Sequence, residues 1–372
     1  MTNNKIGVGV IGASLNGSWG GIAHIPALQA LPQYHIAAVS STRAESARDA
    51  ALHFGVPHSF TDAYELASHP DVDLVTISVK VPDHVELVQT ALSAGKMVLC
   101  EFPLARSTDE ALTLTARAEK QQIRHFTGLQ ARANAAIRYV KDLIAEEYIG
   151  TIHAVHCNYS RPNYPYRSKQ IQESHKYLLN NENGANQLTI TAGHMLDALL
   201  YLFGSFSDIS AMLDIHAKQV SVMETGEIIQ ATSPDHIAIN GHLNNGAILS
   251  LQVRSTHVGS LFIEINGSKG DLILQSEDNG MVQWDVFTIK EGRTSAGYSP
   301  LEIPPKYVLQ PAELPFGPAY NMAGLYQLIS DDLTNQTHLA PDFHTALATH
   351  KLIDVVQKAA ESGMKQPAVL VI

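Results

Sequence analysis

A glycine-bearing turn near the amino terminus has the residue types that hold a nucleotide diphosphate. Gly12-Ala13-Ser14-Leu15-Asn16-Gly17 follows a short apolar run and precedes a segment with helical spacing. Gly12 permits a tight turn, and Ser14 keeps a small side chain where the main chain must approach a pyrophosphate. The pattern is G-x-S-x-x-G instead of G-x-G-x-x-G, and a glycine-rich loop without a ligand is the alternative. The flanking strand and helix favour dinucleotide binding.

The end of the second predicted strand indicates which dinucleotide this turn would hold. In NAD-binding proteins an acidic residue here accepts a hydrogen bond from the ribose 2′-hydroxyl. The sequence instead has hydroxyls and a guanidinium at Ser40, Ser41, Thr42 and Arg43. These donors suit a 2′-phosphate, so the sequence favours NADP and leaves NAD possible. A solvated guanidinium at a helix N-terminus is the other interpretation of Arg43. Trp19 either covers the cofactor or packs beneath the loop.

Alternating strand and helix signals in the first third of the chain would position this turn. The predicted strands are residues 5–11, 35–39, 73–79 and 97–100, and the predicted helices are residues 22–31, 44–54, 83–94 and 107–120. Asp83 with Glu86, and Ser107 with Glu110, have the spacing of a capping box. Strands that alternate with helices predict a doubly wound parallel sheet, hence an α/β fold.

The rest of the chain predicts a second, α+β domain. Its predicted helices are residues 137–145, 193–203, 319–333 and 343–362, and its predicted strands are residues 152–160, 236–243, 247–253, 261–265 and 271–275. Asn244-Asn245-Gly246 is a strong hairpin signal, so antiparallel strands are expected. Residues 161–186 lack periodicity, which predicts a long loop. We place the domains at residues 1–126 and 127–372.

Composition excludes several classes of protein. The 372 residues carry a net charge of −11, which disfavours direct nucleic-acid binding because that binding needs a basic surface. Cys100 and Cys157 are too few for a disulfide framework or a four-cysteine zinc site. The 18 histidines form no His-x-His or His-x-x-x-His pair, so we predict no metal. Without a membrane-length apolar run or a convincing signal peptide, we expect a cytoplasmic protein that does not bind membranes.

These motifs together resemble the glucose–fructose oxidoreductase, inositol dehydrogenase and rhizopine-catabolism family, and the resemblance covers essentially the whole chain. Its further landmarks are His24 with Pro26, residues 73–77 leading to His84, Ala94-Gly95-Lys96, Glu101-Phe102-Pro103, Tyr148-Ile149-Gly150, Gly193-His194-Met195-Leu196-Asp197 and Gly267-Ser268-Lys269-Gly270. The resemblance implies a Rossmann domain followed by a domain with a large, mostly antiparallel sheet. That sheet often forms a dimer interface in the family, so a homodimer or tetramer is expected.

The branch of this family that contains the fungal repressor of galactose genes looks most similar. The shared features are the long segment from Gly12 to His24, Val79-Lys80-Val81 after the third predicted strand, Leu129-Gln130, and an aromatic loop from Tyr164 to Tyr177. The repressor resembles a dehydrogenase but works by binding an activator protein, and it does not itself read DNA. The resemblance therefore leaves open a non-catalytic regulator that binds a dinucleotide.

The resemblance also implies cofactor contacts beyond the glycine turn, at Ser78, Val79, His84, Glu101, Phe102 and Gln130. The family motif Glu-Lys-Pro is Glu101-Phe102-Pro103 here, and Phe102 cannot move a proton. The family's second motif places an Asp four residues before the catalytic His. That position is Ile190 here, whereas His194 is present.

Two residues could still exchange the proton of a substrate hydroxyl. His194 has an ordinary pKa of about 6.5, and Lys80 follows a core strand at the carboxyl edge of the sheet, where ligands bind. The alternatives are a helix-start histidine satisfied by the backbone and an exposed loop lysine. Side chains suited to a sugar are Tyr164, Tyr166, Arg167, Tyr177, Gln187 and Asp197. We expect an NAD(P)-dependent oxidoreductase whose small-molecule substrate is a sugar, polyol or related hydroxy compound. The alternatives are the regulator, which would bind an effector, and a structural subunit that binds no dinucleotide.

Overall fold

The computed structural model of the chain describes residues 5–161, 169–276, 278 and 280–368. Contacts between residues divide the chain into two compact units. The first unit comprises Met1–Ala133 with Leu309–Leu347, and the second comprises Asn134–Val308 with Ala348–Ile372. The domain boundary after residue 126 stays a prediction. Among the residues described, no helix has the length and apolarity needed to cross a bilayer.

A six-stranded parallel sheet forms the centre of the first unit. Its strands are β1 (Ile6–Ile11), β2 (Tyr34–Ser40), β3 (His58–Phe60), β4 (Leu74–Ile77), β5 (Met97–Glu101) and β6 (His125–Gly128). Their order is β3-β2-β1-β4-β5-β6, which confirms the predicted doubly wound sheet. The order reverses between β1 and β4, and open α/β sheets bind ligands at the carboxyl edge beside such a reversal. The glycine turn begins at that point.

The nine α-helices of the described residues follow most of the predicted segments. They are α1 (Ile25–Gln29), α2 (Ala44–Phe54), α3 (Ala63–Ser68), α4 (His84–Ser93), α5 (Thr108–Lys120), α6 (Ala135–Ala145), α7 (Gly193–Phe203), α8 (Pro318–Asn335) and α9 (Phe343–Ser362). Single π-helical turns, Gly20–His24 and Gln187–Ala192, lead into α1 and α7. Ser107 caps α5, because its Oγ accepts a hydrogen bond from the Glu110 N–H (3.3 Å). The second bond of the predicted capping box does not form, because the Glu110 carboxylate accepts from the Arg106 N–H (3.0 Å) instead of that of Ser107.

Three elements of the first unit and one cap differ from the prediction. Strands β3 and β6 and helix α3 have only three, four and six residues, too few to establish a period. The predicted capping box at Asp83 is wrong, because the side chain of Asp83 makes no capping bond. A short 3₁₀ turn, Val81–Asp83, precedes α4 and gives Asp83 helical dihedrals. A capping residue needs extended ones.

Helix α8 belongs to the first unit although it lies near the carboxyl end of the chain. Met322, Tyr326 and Ile329 of α8 share one buried core with residues of β1, β2 and α1. The ring of Tyr326 packs edge-on against the ring of Tyr34, at 5.4 Å between centroids. The Tyr34 hydroxyl donates to the backbone carbonyl of Tyr326 (2.7 Å). A hydrogen bond inside this core therefore supplements the apolar contacts that hold α8.

The second unit contains a nine-stranded mixed sheet and a small three-stranded sheet. The remaining strands are β7 (Ile152–Arg161), β8 (Gln170–Ile171), β9 (Phe206–Asp214), β10 (Gln219–Val222), β11 (Ile228–Gln230), β12 (His236–Leu243), β13 (Ile248–Ser255), β14 (Ser260–Gly267), β15 (Gly270–Ser276), β16 (Phe287–Gly292), β17 (Ser299–Leu301) and β18 (Gln366–Pro367). The large sheet has the order β17-β16-β15-β14-β7-β13-β12-β9-β18. Only the β7–β13 pair is parallel among its described pairs. This confirms the large, mostly antiparallel sheet.

The segment predicted as one long loop, residues 161–186, contains regular structure in its described part, residues 169–186. Its described part contains β8 and two 3₁₀ turns, Glu173–Leu179 and Asn181–Asn183. Ile171 and Leu179 pack in a small core with residues of β10. Short turns with a few buried side chains leave no period in the sequence, which explains the wrong prediction.

Candidate functional site

The glycine turn is packed so closely against the end of β4 that only glycine fits at its first position. Gly12 has a φ of +97°, and a Cβ there would lie 2.1 Å from the carbonyl oxygen of Ser78 and 2.9 Å from Cγ1 of Val79. The Gly12 N–H donates to the carbonyl of Ser40 (2.9 Å), and the Ser78 N–H donates to the carbonyl of Ile11 (3.0 Å). The turn is therefore fixed between the ends of three strands.

Ser18 fixes the far side of the turn, and the sequence analysis did not identify it. Its Oγ accepts from the N–H groups of Ser14 (2.8 Å) and Gly21 (3.1 Å) and donates to the carbonyl of Ser14 (3.0 Å). Ala13 is buried, whereas the predicted cofactor contacts Leu15, Asn16 and Gly17 are exposed. Trp19 is partly buried and packs against the core of the unit. The sequence did offer one indication of this role, because Ser18 is a small hydroxyl residue that directly follows Gly17, the last residue of the glycine turn.

Unpartnered polar atoms lie at the same edge of the sheet. Ser78 directly follows β4, and Gln130 lies two residues after β6. Both side chains are buried, and the Oγ of Ser78 and both amide atoms of Gln130 have no hydrogen-bond partner among the residues described. Leaving such a group unsatisfied costs about 1–3 kcal/mol. The turn and these polar atoms therefore fit a ligand that brings both hydrogen-bond donors and acceptors, as a dinucleotide does.

The residues predicted to select the dinucleotide lie where β2 ends. Ser40 is buried and Ser41 half-buried, and the Oγ of Ser41 donates to the backbone carbonyl of Arg43 (3.1 Å). Thr42 and Arg43 are exposed. Arg43 precedes α2 in an extended conformation and makes no side-chain cap. Its guanidinium is thus placed at a helix start, and both interpretations from the sequence agree with that position.

His84 was predicted to touch the cofactor, and the structure gives it contacts within the protein. The imidazole is buried, with Nδ1 2.9 Å from the carbonyl oxygen of Pro103 and Nε2 3.2 Å from that of Val79. Burial lowers the pKa of His84, and the two carbonyls oppose that shift. His84 therefore joins the segment after β4 to the segment after β5. Lys80, the predicted replacement for the missing ammonium, is exposed and begins the turn that precedes α4.

The Glu101-Phe102-Pro103 motif ends β5 with one polar and one buried apolar side chain. Phe102 is 5% exposed. One carboxylate oxygen of Glu101 lies 3.0 Å from Nε2 of His24. A Cβ on Gly128 would come within 2.3 Å of the Glu101 carboxylate, so glycine at that position leaves room for it. The motif thus keeps an anchored carboxylate at the carboxyl edge.

Three of the candidate residues of the second unit, Gln187, His194 and Asp197, are buried. His194 is the second residue of α7, and burial lowers its pKa to about 3. Its imidazole is therefore neutral at physiological pH. Asp197 and Gln187 are also buried, and the hydroxyl of Ser255 lies 3.4 Å from the amide oxygen of Gln187. Tyr177 is half-buried, and its carbonyl accepts from the Asn183 amide (2.7 Å).

Three of the predicted substrate residues lie in a part of the chain that the structure does not describe. Tyr164, Tyr166 and Arg167 lie outside the described residues. Lys80 and His194 belong to different units. Roles in substrate binding and in proton transfer therefore stay predictions for all of these residues.

Comparison with known proteins agrees with this architecture. Residues 6–129 match the oxidoreductase family with an NAD-binding Rossmann fold, and residues 135–276 match the C-terminal domain of Gal80p. The chain belongs to this oxidoreductase family, as the sequence motifs predicted.

Similar curated proteins include both regulators and a dehydrogenase. The galactose/lactose metabolism regulatory protein GAL80 of Kluyveromyces lactis is 30% identical over 304 residues, covering 76% of this chain and 66% of that protein. The GAL80 protein of Saccharomyces cerevisiae is 28% identical, over 96% and 93% of the two chains. Dehydrogenase aclE of Aspergillus oryzae is 31% identical over 57% of this chain and 58% of its own.

Solved structures show the same fold over nearly the whole chain. A super-repressor mutant of Gal80p from Saccharomyces cerevisiae superposes with a TM-score of 0.83 at 25% identity, covering 98% of each chain. Levoglucosan dehydrogenase, in complex with NADH and levoglucosan, has a TM-score of 0.84 at 20% identity, covering 98% of this chain and 100% of its own. The fold therefore occurs both in regulators and in sugar dehydrogenases.

Proposed function

We propose that this chain is an NADP-dependent oxidoreductase that transfers hydride between the nicotinamide and a CH–OH carbon of a sugar, polyol or related hydroxy compound. The observation that carries the proposal is the carboxyl edge of the Rossmann sheet. A turn that accepts only glycine at its first position lies against Ser78, and the Oγ of Ser78 and the amide of Gln130, which follow β4 and β6 at the same edge, are buried without partners among the described residues. A dinucleotide that occupied this edge would satisfy them.

The first unit supplies groups for binding the coenzyme. The turn at Gly12 would hold the diphosphate, Gln130 and Ser78 would bond its polar groups, and Arg43 would pair with the 2′-phosphate. When bound, the nicotinamide supplies the hydride acceptor or donor. We assign Lys80, which follows β4 at the carboxyl edge of the sheet, the role of hydrogen-bond donor to the substrate oxygen. A structure of the same fold, levoglucosan dehydrogenase, has been solved with NADH and levoglucosan, which supports a nicotinamide coenzyme and a sugar-like substrate; the preference for NADP rests on Arg43 alone.

Titration and turnover test the proposal separately. NADPH fluorescence should change on binding, and tight binding should raise the Tm. A panel of sugars and polyols with NADP⁺ should then give steady NADPH formation. Lys80→Met should lower kcat/KM by about 10²–10³-fold, the value of one donor to a developing oxyanion, with the coenzyme Kd unchanged. Lys120→Met, which changes an exposed lysine of α5, is the control. Sustained turnover by Lys80→Met at the wild-type rate would remove Lys80 from the reaction. Failure to bind either NADP(H) or NAD(H) at millimolar concentration would overturn the whole proposal.

A second candidate function, a dinucleotide-sensing regulator, is favoured by one specific observation. The two positions where the family carries its charged catalytic groups hold Phe102 and Ile190, and His194 is kept neutral by burial. A regulator would bind coenzyme with a measurable Kd and give no turnover with any substrate in the panel. The similarity to GAL80 proteins supports this alternative.

A further inference from the structure

Four side chains of the first unit form one continuous hydrogen-bond network that ends at the carboxyl edge of the six-stranded sheet. Thr76 Oγ1 lies 2.9 Å from the hydroxyl of Tyr326, and that hydroxyl lies 2.9 Å from Nδ1 of His24. Nε2 of His24 lies 3.0 Å from Oε1 of Glu101. Thr76, His24 and Tyr326 are completely buried, whereas 13% of the Glu101 side chain is exposed. Of the four side chains in this network, only that of Glu101 is therefore accessible to solvent.

A proton acceptor at Glu101 would be a carboxylate beside a neutral imidazole, and that pair of forms would give every bond in the network one direction. An ionised carboxylate only accepts hydrogen bonds, so Nε2 of His24 must carry the proton. Nδ1 of a neutral imidazole is then an acceptor, and the hydroxyl of Tyr326 must donate to it. Burial raises the pKa of Tyr326 well above its ordinary value, which keeps this donor protonated. The oxygen of Tyr326 then accepts from Thr76. One tautomer and one set of donors satisfy all four residues.

The proposed oxidation needs a proton acceptor, and the other candidates do not supply a good one. Phe102 has no ionisable group, and Lys80 is already assigned as the hydrogen-bond donor to the substrate oxygen. Protonation of His194 is opposed by its complete burial. The carboxylate of Glu101 is the remaining acidic or basic group of the family motif. Its exposed fraction lies at the carboxyl edge of β5, and its contact with His24 occupies only one of its two oxygens.

We propose that Glu101 is the proton acceptor of the reaction and that His24 and Tyr326 are positioning residues that hold it ionised and oriented. This inference rests on the proposed oxidoreductase function. In the step, the substrate C–H bond breaks with its electron pair, which leaves as hydride to the nicotinamide. The substrate O–H bond breaks and its proton bonds to Oε2 of Glu101. The C–O bond becomes a carbonyl, and Glu101 becomes a neutral acid that later releases the proton to water. The bond from His24 to Oε1 persists throughout.

The tautomer of His24 provides a test that needs no coenzyme and no turnover. In ¹⁵N-histidine-labelled protein at pH 7.5, the His24 signals, assigned by their loss in His24→Gln, should be those of the Nε2–H tautomer. Tyr326→Phe removes the donor to Nδ1, so its His24 signals should move toward a mixture of tautomers. Tyr34→Phe is the matched control, because it removes a neighbouring buried hydroxyl that bonds a backbone carbonyl instead. A His24 imidazolium, or an Nδ1–H tautomer, in the wild type would overturn the inference.

Turnover tests the role of Glu101 and separates it from the proposed function. Glu101→Gln should lower kcat, measured at saturating coenzyme, by about 10²–10⁴-fold. Tyr326→Phe should lower kcat by about threefold to tenfold, the equivalent of one hydrogen bond. Wild-type turnover in Glu101→Gln would overturn the role of Glu101 and leave the oxidoreductase function intact. A wild-type protein that binds coenzyme but turns over no substrate would overturn the proposed function and, with it, the proton transfer to Glu101. The tautomer measurement would still decide whether His24 and Tyr326 position the carboxylate.

Discussion

Replacing Gly12 with alanine should damage the cofactor turn far more than replacing Gly17, although both glycines belong to the same fingerprint. Both have positive φ values, +97° and +72°. A Cβ at Gly12 would lie 2.1 Å from the carbonyl oxygen of Ser78, whereas a Cβ at Gly17 would meet no atom within 4 Å. Gly17→Ala is therefore a matched control that carries the conformational cost without the collision.

The magnitudes follow from these two contributions. A left-handed conformation costs a residue with a Cβ about 1–2 kcal/mol, and overpacking a well-packed site costs about 1–3 kcal/mol. We expect Gly17→Ala to lose about 1–2 kcal/mol of unfolding free energy and Gly12→Ala to lose about 2–5 kcal/mol. For a unit of 150–250 residues, each kcal/mol lowers Tm by about 2–4 °C. The collision must also push the turn away from β4, so Gly12→Ala should weaken NADPH binding by about 100-fold or more, a loss of about 2.7 kcal/mol.

Calorimetry and NADPH fluorescence titration on the two variants and the wild type are the appropriate assays. Coenzyme at 100 times its Kd should stabilise the wild type by about 2.7 kcal/mol, and Gly17→Ala should keep most of this gain. Gly12→Ala should lose both stability and the gain from coenzyme. If the two alanine variants had equal Tm values and equal Kd values, the close packing between Gly12 and Ser78 would not be what forms the turn.

Further predictions concern charge, coenzyme choice and thiol access. Because burial lowers the pKa of His194 from 6.5 to about 3, the unfolded chain binds a proton in that range that the native chain does not. The contribution of His194 to the free energy of unfolding is therefore fully present above about pH 6.5 and is lost as the pH falls. Between pH 7.5 and pH 5 the protein should lose about 2 kcal/mol of unfolding free energy through this group. Urea unfolding of His194→Asn should show a pH dependence that is smaller by that amount. Arg43→Ala should raise the Kd for NADPH by about 10–100-fold, the value of a bond to a charged group, and change the Kd for NADH less than threefold; equal losses for both coenzymes would refute the contact with the 2′-phosphate. Cys100 and Cys157 are buried, and burial raises the pKa of both thiols, so a thiol reagent at pH 8 should react with neither until urea unfolds the chain; a fast reaction in the native state would contradict their placement.

The Rossmann domain could be predicted from the sequence because its longer helices and strands have a clear hydrophobic periodicity and clear end signals. Helix α2, Ala44–Phe54, has the predicted bounds, and Gly55 follows it with a φ of +68°. Strand β3 could not be predicted in the same way. It is a three-residue edge strand whose residues are all half-buried, so neither alternation nor an apolar run marks it. The length of an element decided whether the sequence revealed it.

Which elements share a unit was not readable from the sequence, and this affects the site most. Helix α8 was predicted as a helix, but nothing local shows that it packs on β1 and β2. The contact of Tyr326 with His24 spans 302 residues, and that of His24 with Glu101 spans 77. No spacing rule applies over such distances. His24 and Glu101 were recognised only as family landmarks, and Tyr326 was not singled out at all.

The position of Glu101 bears on what the replacement of the family lysine by Phe102 means. Phe102 is buried, so its side chain contributes to packing at the end of β5. Glu101 keeps a hydrogen-bonded imidazole on one oxygen, and Gly128, its register partner on β6, leaves space for the carboxylate. A buried network of polar residues destabilises the fold unless every one of its donors has an acceptor. The bonds among Thr76, Tyr326, His24 and Glu101 hold one carboxylate oxygen in place at the end of β5. Glu101 is therefore oriented for proton transfer or for contact with a bound coenzyme although the neighbouring Phe102 is apolar.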